Sequence, residues 1–341
     1  MEKCYICRKP LAVSHPAYPC LCLECGEENL KNRDATIDLY GHIALVTGGR
    51  IKIGYHTALR LLRCGAQVIV TSRFPYSALS QYRSEADYDD WADRLHIYGL
   101  DLLRIDLLEA FVEEVYRSFG SLDILVNNAA QTVKNEEGIR RQTAIEDGLS
   151  RKRLAGEGRV QSLLPQASED GSQMLVGGSI VLNSDGQNAW VKKSGDVDVR
   201  DLLETQIINV TAPYLLSTAL RPLMAESTEK NRFLINVSSL EGKFGIKTKS
   251  SAHPHTNMAK AALNMMTKTF ADEFRRSRIY VYSIDPGWVS NQFPDDGRVK
   301  RDLPLDFLDA AARITYPIFT WKDSEKPPTG IFLKDYVQTE W

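Results

Sequence analysis

The chain has no stretch approaching the roughly 20 apolar residues that a membrane span requires. It has almost no charge of either sign to spare: 42 Lys+Arg stand against 44 Asp+Glu, a formal net charge of -2. There is thus no basic field to draw it to nucleic acid or to an anionic membrane surface, and neither partner is expected. A secretory leader is missing too, since Met1 opens on a polar, cysteine-containing stretch, and the expected compartment is the cytoplasm. Internal repeats and low-complexity tracts are absent, and 43% hydrophobic residues in 341 exclude extended disorder and allow one large domain with a small companion. Beyond residue 25 cysteine is nearly absent, with Cys64 standing alone.

What is present is uneven. Cys4, Cys7, Cys20, Cys22 and Cys25 crowd into the first segment. In a reducing compartment such crowding favours a metal over disulfides. Cys4-Tyr5-Ile6-Cys7 and Cys22-Leu23-Glu24-Cys25 each place two thiolates on a tight turn. Two such turns supply the four sulfurs of a closed, structural Zn²⁺ site. Cys20, two residues from Cys22, is then a spare or substitute ligand, and His15 is a weaker candidate. The alternative is a set of free thiols.

After a short polar stretch the composition changes, which places a boundary near residue 38: a Cys-rich module over 1–38 and the main domain over 39–341. In the main domain, apolar, often β-branched runs at 42–47, 67–72, 96–102, 124–127, 233–237 and 279–284 predict strands. Amphipathic blocks at 54–64, 107–118, 203–225 and 257–276 predict the helices between them, with a further helix near 305–313 and a last strand at 328–333. Strands alternating with helices imply right-handed crossovers and a parallel sheet covered on both faces. The fold class is α/β, a doubly wound, Rossmann-like parallel sheet with a small N-terminal Cys-rich zinc module.

The first strand-to-helix turn is Thr47-Gly48-Gly49-Arg50-Ile51-Lys52-Ile53-Gly54. A glycine-rich turn in that context presents free helix N–H groups to a pyrophosphate, so Thr47, Gly48, Arg50, Lys52, Ile53 and Gly54 are candidate cofactor-binding residues. The second predicted strand ends in Thr71-Ser72-Arg73. Arg73 replaces the carboxylate that would bind a free ribose 2′-hydroxyl, which favours NADP(H) over NAD(H).

Taken together, the motifs from about Leu39 onward resemble those of the short-chain dehydrogenase/reductase family. The T-G-x-x-x-G-x-G turn matches Thr47, Gly48 and Gly54, with Lys52 at the family's middle glycine. Asp101-Leu102 matches the adenine-contacting pair, and Asn127-Asn128-Ala129-Ala130 matches N-N-A-G, with Asn127 and Ala129 taken as cofactor contacts. Asn209 matches the catalytic Asn and Ser239 the catalytic Ser, while Pro286-Gly287 matches the pair flanking the nicotinamide. The resemblance implies a reductase exchanging hydride between NADP(H) and a small-molecule carbonyl or alcohol.

One residue departs from that pattern. The family's Y-x-x-x-K supplies the acid/base phenol and a ribose-binding Lys, matched here by Lys260, but four residues earlier stands Thr256. An aliphatic hydroxyl hydrogen-bonds a carbonyl yet is far too weak an acid to replace a tuned phenol. Three substitutes are open: His255 or His253, a residue of an insertion, or a relay through Lys260, Asn209 and water. Lys52 raises a second question, because a side chain at the middle glycine must point away from the phosphates or contact them.

About eighty residues separate Ala130 from Asn209, far beyond ordinary loop lengths. The insertion, about 131–200, follows the strand that carries the nicotinamide and either covers the site or recruits a partner; the alternative is a surface loop. Trp190 with Lys192 and Lys193 is its best candidate for an ordered contact. The alternative function is a catalytically weakened NADP(H)-binding sensor or scaffold, whose zinc module and insertion bind a protein partner. A homo-oligomer is compatible with either reading.

Overall fold

The computed structural model describes residues 2–131, 136–151, 160–163, 190–246, 249–290 and 302–341. An antiparallel ribbon, β1 (Ser14–His15) and β2 (Tyr18–Cys22), leads into α1 (Leu23–Asp34). There follow β3 (Ile43–Thr47), α2 (Lys52–Arg63), β4 (Gln67–Ser72), α3 (Pro75–Arg83), the single turn α4 (Tyr88–Trp91), β5 (Leu95–Gly99), α5 (Ile105–Ser118) and β6 (Ile124–Asn127). Helix α6 (Glu136–Arg151) and strand β7 (Val160–Ser162) precede α7 (Val199–Gln206), a π-helical turn (Ile207–Thr211) and α8 (Ala212–Ala225). The chain ends with β8 (Arg232–Val237), α9 (Pro254–Arg275), β9 (Ile279–Asp285), α10 (Phe307–Trp321), β10 (Ile331–Lys334) and β11 (Val337–Thr339).

The main sheet runs β11-β10-β9-β8-β6-β3-β4-β5-β7. Every pairing is parallel except the terminal β10–β11 hairpin. Side chains alternate between its two faces as the pleat demands. Ala44, Val46, Val68, Val70, Ile124 and Val126 point into one apolar layer with α2 and α10. Their neighbours Leu45, Ile69 and Leu125 point into the other, with α5, α8 and α9. The strand order reverses between β3 and β6, so a crevice opens at their C-terminal ends.

Several elements differ from the sequence expectation. The helix expected over 203–225 is broken at Ile207–Thr211 by a π-helical turn, a distortion that periodicity does not reveal. The helix expected to end near 313 continues to Trp321 through Pro317, because Ile314 and Ile318 are fully buried in the layer with α2, which outweighs the hydrogen bond lost at the proline. The insertion, for which a surface loop was one expectation, contains α6 and β7; β7 extends the sheet beside β5. Residues 152–159 and 164–189 lie outside the described residues, and with them most of the charged and polar runs of that segment.

The Cys-rich module is seated on the main domain. Cys4, Tyr18 and Leu21 share an apolar cluster with Val289, Leu305 and Ala310. At its edge one Asp309 oxygen accepts hydrogen bonds from Tyr18 Oη (2.8 Å), Asn29 Nδ2 (2.8 Å) and Arg33 Nη1 (3.0 Å). The other accepts the Asp306 amide at 2.9 Å, closing a capping box at the start of α10. Asp309 is wholly buried, so truncating it strands three donors of the module at once. Asp309→Ala is expected to lower stability by about 3 kcal/mol, read from the urea midpoint at unchanged slope.

Candidate active site and thiolate cluster

The crevice at the strand reversal holds a cavity of about 700 Å³, within the size range of small-molecule sites. The β3–α2 turn contributes Gly48, Arg50, Lys52, Ile53 and Gly54 to its wall, and Arg73, Asp101, Leu102 and Ala129 line it from the next strands. Gly54 admits no side chain, since a Cβ there would lie 2.3 Å from the Gly48 carbonyl oxygen. Lys52 keeps the left-handed backbone of a glycine, with φ of 56°, at the first residue of α2, and the residue as a whole is exposed.

No sequence signal singles out Phe74 beside Arg73, yet its ring receives both Arg50 (5.3 Å) and Arg73 (5.8 Å). Burial, and to a lesser degree the neighbouring Arg73 charge, pull the Arg50 guanidinium below its ordinary pKa. Two cations on one ring, partly desolvated, form a receptive place for an anion. The facing wall comes from the insertion: Ile139 and Gln142 of α6 line the cavity. Glu146, one turn on, accepts the Tyr76 and Ser77 amides at 2.7 and 2.8 Å, capping α3.

Two residues expected to touch a cofactor stand behind the wall instead. Thr47 Oγ1 accepts the Asn128 and Ala129 amides, both at 3.0 Å. Asn127 Nδ2 donates to Ser217 Oγ (3.1 Å) and Asn236 Oδ1 (2.9 Å), so its buried side chain braces β6 against its neighbours. Pro286 and Gly287 also lie outside the cavity lining, although Ser290, just beyond them, belongs to it. Gly287 has φ of 87°, and a Cβ there would meet Leu305 at 2.6 Å.

On the catalytic side, Ser239 follows β8 and its Oγ accepts the Glu241 amide at 3.0 Å. Asp285, at the end of β9, accepts the Leu240 and Gly287 amides, each at 2.7 Å, joining the Ser239 turn to the Pro286-Gly287 turn. Burial raises the Asp285 pKa. Lys260 Nζ donates to the Val237 carbonyl at 2.7 Å, and burial brings its pKa down to about 8, opposed by Asp285. Asn209, on the π-helical turn, pairs both ways with the Gln131 backbone, accepting at 2.8 Å and donating at 3.1 Å.

Thr256 sits one helical turn before Lys260 on α9, and its buried hydroxyl has no hydrogen-bond partner among the described residues. The two histidines are committed differently. His253 lies flat on Trp190 (4.0 Å between centroids, 8°), with Nδ1 2.9 Å from the Trp190 carbonyl and Nε2 3.3 Å from Glu241. Hydrogen bonding to His253, then Lys249, draws the Glu241 pKa down to about 2 against the opposing effect of burial. Burial lowers the His255 pKa, and the charges acting on it belong to Asp201, His253, Lys192 and Asp198. Its buried Nδ1 has no hydrogen-bond partner among the described residues.

In the N-terminal module, the sulfurs of Cys4, Cys7, Cys22 and Cys25 all lie within 4.8 Å of one another. Cys7 and Cys22 are 3.8 Å apart, the edge of a tetrahedron with Zn–S bonds of about 2.3 Å. Cys20 and His15 stand outside the cluster. His15 Nδ1 accepts the Ala17 amide at 3.2 Å and its Nε2 faces Glu27 at 3.3 Å.

A doubly wound sheet with a glycine turn at the strand reversal defines a dinucleotide-fold oxidoreductase class. Family models described as short chain dehydrogenase and enoyl-(acyl carrier protein) reductase match residues 42–149 and 160–303. The chain belongs to the short-chain dehydrogenase/reductase family. It is 34% identical to the uncharacterized protein R665 of Acanthamoeba polyphaga mimivirus, over 95% of this chain and 73% of that protein. With retinol dehydrogenase 14 of Mus musculus it shares 25% identity, covering 82% and 85% of the two chains. Carbonyl reductase Sniffer of D. melanogaster superposes with a TM-score of 0.60 at 20% identity, over 89% of this chain and all of that one. A metagenomic short-chain oxidoreductase in complex with NADP gives 0.56 at 20%, over 87% and 99%. Among the described residues no helix is long and apolar enough to cross a membrane.

The left-handed Lys52 is a local strain that its family's glycine avoids. Lys52→Gly is expected to raise stability by about 1 kcal/mol, seen as a higher urea midpoint, because it relieves that backbone and the lysine side chain makes no hydrogen bond among the described residues.

Proposed function

We propose that the protein is an NADP(H)-dependent oxidoreductase interconverting a carbonyl and an alcohol on a small molecule. The observation that carries the cofactor reading is the pair of guanidiniums, Arg50 and Arg73, on Phe74 at the end of β4, where an NAD-specific site would carry a carboxylate. The residues fit the group. Gly48, Ile53 and Gly54 bring α2's N-terminal amides to the cavity for the pyrophosphate, and Asp101-Leu102 and Ala129 border the nucleoside positions. Bound there, the dinucleotide supplies the hydride.

The chain itself must orient the substrate oxygen and hold a proton. Ser239 Oγ and the unpartnered Thr256 Oγ1 are the hydroxyls that hydrogen-bond that oxygen. Lys260, four residues after Thr256 and on the same helix face, keeps two N–H donors beyond its bond to Val237. With a pKa of about 8, its ammonium is the group that holds the proton delivered to the alkoxide through Thr256. Asn209 positions the backbone at Gln131 and His253 positions Trp190; neither is left free for proton transfer. The four thiolates are a structural Zn²⁺ site, supported by their near-tetrahedral spacing. The missing phenol at 256 favours one second reading, a cofactor-binding sensor that contacts a protein partner through its zinc module and insertion.

Four measurements test these assignments. Arg73→Ala is expected to weaken NADPH binding about 10–100-fold in a fluorescence titration while leaving NADH unchanged; equal effects on both cofactors would remove the 2′-phosphate assignment. Because reduction consumes the Lys260 proton, kcat for carbonyl reduction should fall as pH rises through about 8, and Lys260→Met should cost about 10²–10⁴ in rate and abolish that limb. NADPH binding without turnover on any carbonyl, with activity appearing in Thr256→Tyr, would instead establish the sensor. Protein purified without chelator should carry about one equivalent of zinc, and less than about half an equivalent would sink the four-thiolate site.

A further inference from the structure

Two of the contacts between the Cys-rich module and the main domain lead to the cavity wall. Tyr5, between Cys4 and Cys7, accepts the Trp288 amide on its hydroxyl at 2.9 Å. Trp288 directly follows Gly287, and two residues on Ser290 lines the cavity. The Tyr5 ring lies against Lys334 at 5.3 Å, so the phenol is held from the sheet side as well. At the second place Tyr18, Asn29 and Arg33 converge on Asp309. Two residues before it stands Phe307, which lines the same cavity and stacks on His56. Val289, Leu305 and Ala310 share their apolar cluster with Cys4 and Tyr18, joining the two contacts into one interface.

We propose that metal binding at the Cys4–Cys7–Cys22–Cys25 cluster and dinucleotide binding in the cavity are thermodynamically linked, with Tyr5 as the positioning residue that carries the linkage. The proposal rests on the zinc and NADP(H) readings of the two sites. Tyr5 touches neither ligand. It is one of the two residues between Cys4 and Cys7, so a bound metal fixes where its hydroxyl stands. That hydroxyl in turn fixes the backbone at Trp288, next to the left-handed Gly287 and the cavity-lining Ser290. A module without metal loses the crosslink that holds this turn, and the Trp288 amide loses a fixed acceptor. Any dinucleotide that favours the ordered wall must then favour the metal-loaded module by the same factor, since coupling free energies are reciprocal.

The test uses the full chain, zinc release into a chromogenic chelator and NADPH titration. Saturating NADPH is expected to tighten zinc, measured at equilibrium against the chelator, about fivefold or more, and zinc-free protein should bind NADPH more weakly by the same factor. Tyr5→Phe keeps all four thiolates and the ring; it should retain its zinc while both effects shrink below about twofold. Hydrogen exchange at the Trp288 amide gives a second readout, faster in the zinc-free protein and in Tyr5→Phe. A merely structural Tyr5 would change melting without removing the mutual effect of the two ligands. Protein that binds zinc and NADPH with neither altering the other, or Tyr5→Phe with full coupling, overturns the linkage and leaves both site readings standing. Protein that fails to bind zinc or fails to bind NADPH overturns that reading and the linkage with it.

Discussion

The site depends on one hydroxyl. Thr47, the last residue of β3, accepts the amides of both Asn128 and Ala129 just beyond β6. These two strands are the neighbours between which the sheet order reverses. Without a tie at that point their C-terminal ends would splay, and the turn of Gly48 and Gly54 would lose its fixed distance from Ala129. The tie is repeated from the other side, where the Asn128 amide group donates to the Thr47 carbonyl at 2.9 Å. A side-chain and backbone exchange of this kind, buried and fully paired, sets the crevice width before any ligand arrives. Thr47 therefore shapes the cavity without lining it.

The fold was legible because its strands bury both faces. Runs such as Gln67–Ser72 and Ile124–Asn127 coincide with the expected strands to the residue. The glycine turn was legible for a steric reason, since Gly54 is fixed by its approach to the Gly48 carbonyl. What periodicity missed depends on contacts between distant residues. The π-helical turn at Asn209 gives no compositional signal, and it presents an amide to Gln131, seventy-eight positions away. Phe74 looks like an ordinary core aromatic until two arginines from different turns meet on it. Spacing singled out the two C-x-x-C pairs but left Cys20 open as a substitute ligand, and it is the folded module that brings the sulfurs of Cys4, Cys7, Cys22 and Cys25 together without it.

The chemistry has been redistributed around the absent phenol. A histidine beside the catalytic helix was a natural substitute; His253 is engaged by Trp190 and Glu241, whereas the buried Nδ1 of His255 has no hydrogen-bond partner among the described residues. Around the position of that phenol stand a lysine whose pKa burial brings down to about 8 and a threonine hydroxyl without a partner among the described residues. A buried, unpaired hydroxyl costs free energy in the folded state. Its persistence next to Lys260 is intelligible if a substrate oxygen satisfies it, which is how a weak acid can still matter as a hydrogen-bond donor.

The two additions to the fold act on opposite ends of the same cavity. Helix α6 reaches the wall through Ile139 and Gln142, and its Glu146 caps α3, the helix that follows Arg73 and Phe74. It therefore stabilises the end of the site where the paired guanidiniums lie. The Cys-rich module reaches the wall through Trp288 and Asp309, on either side of Ser290 and Phe307. Each addition grips a connection that leaves the C-terminal edge of the sheet, and connections of this kind are the least constrained parts of a doubly wound domain. The additions also touch the core layers below, where Ile37 and Val160 pack against one layer and Leu163 against the other. The polar contacts of both additions thus concentrate on connections around one crevice, the part of a doubly wound fold that positions a ligand.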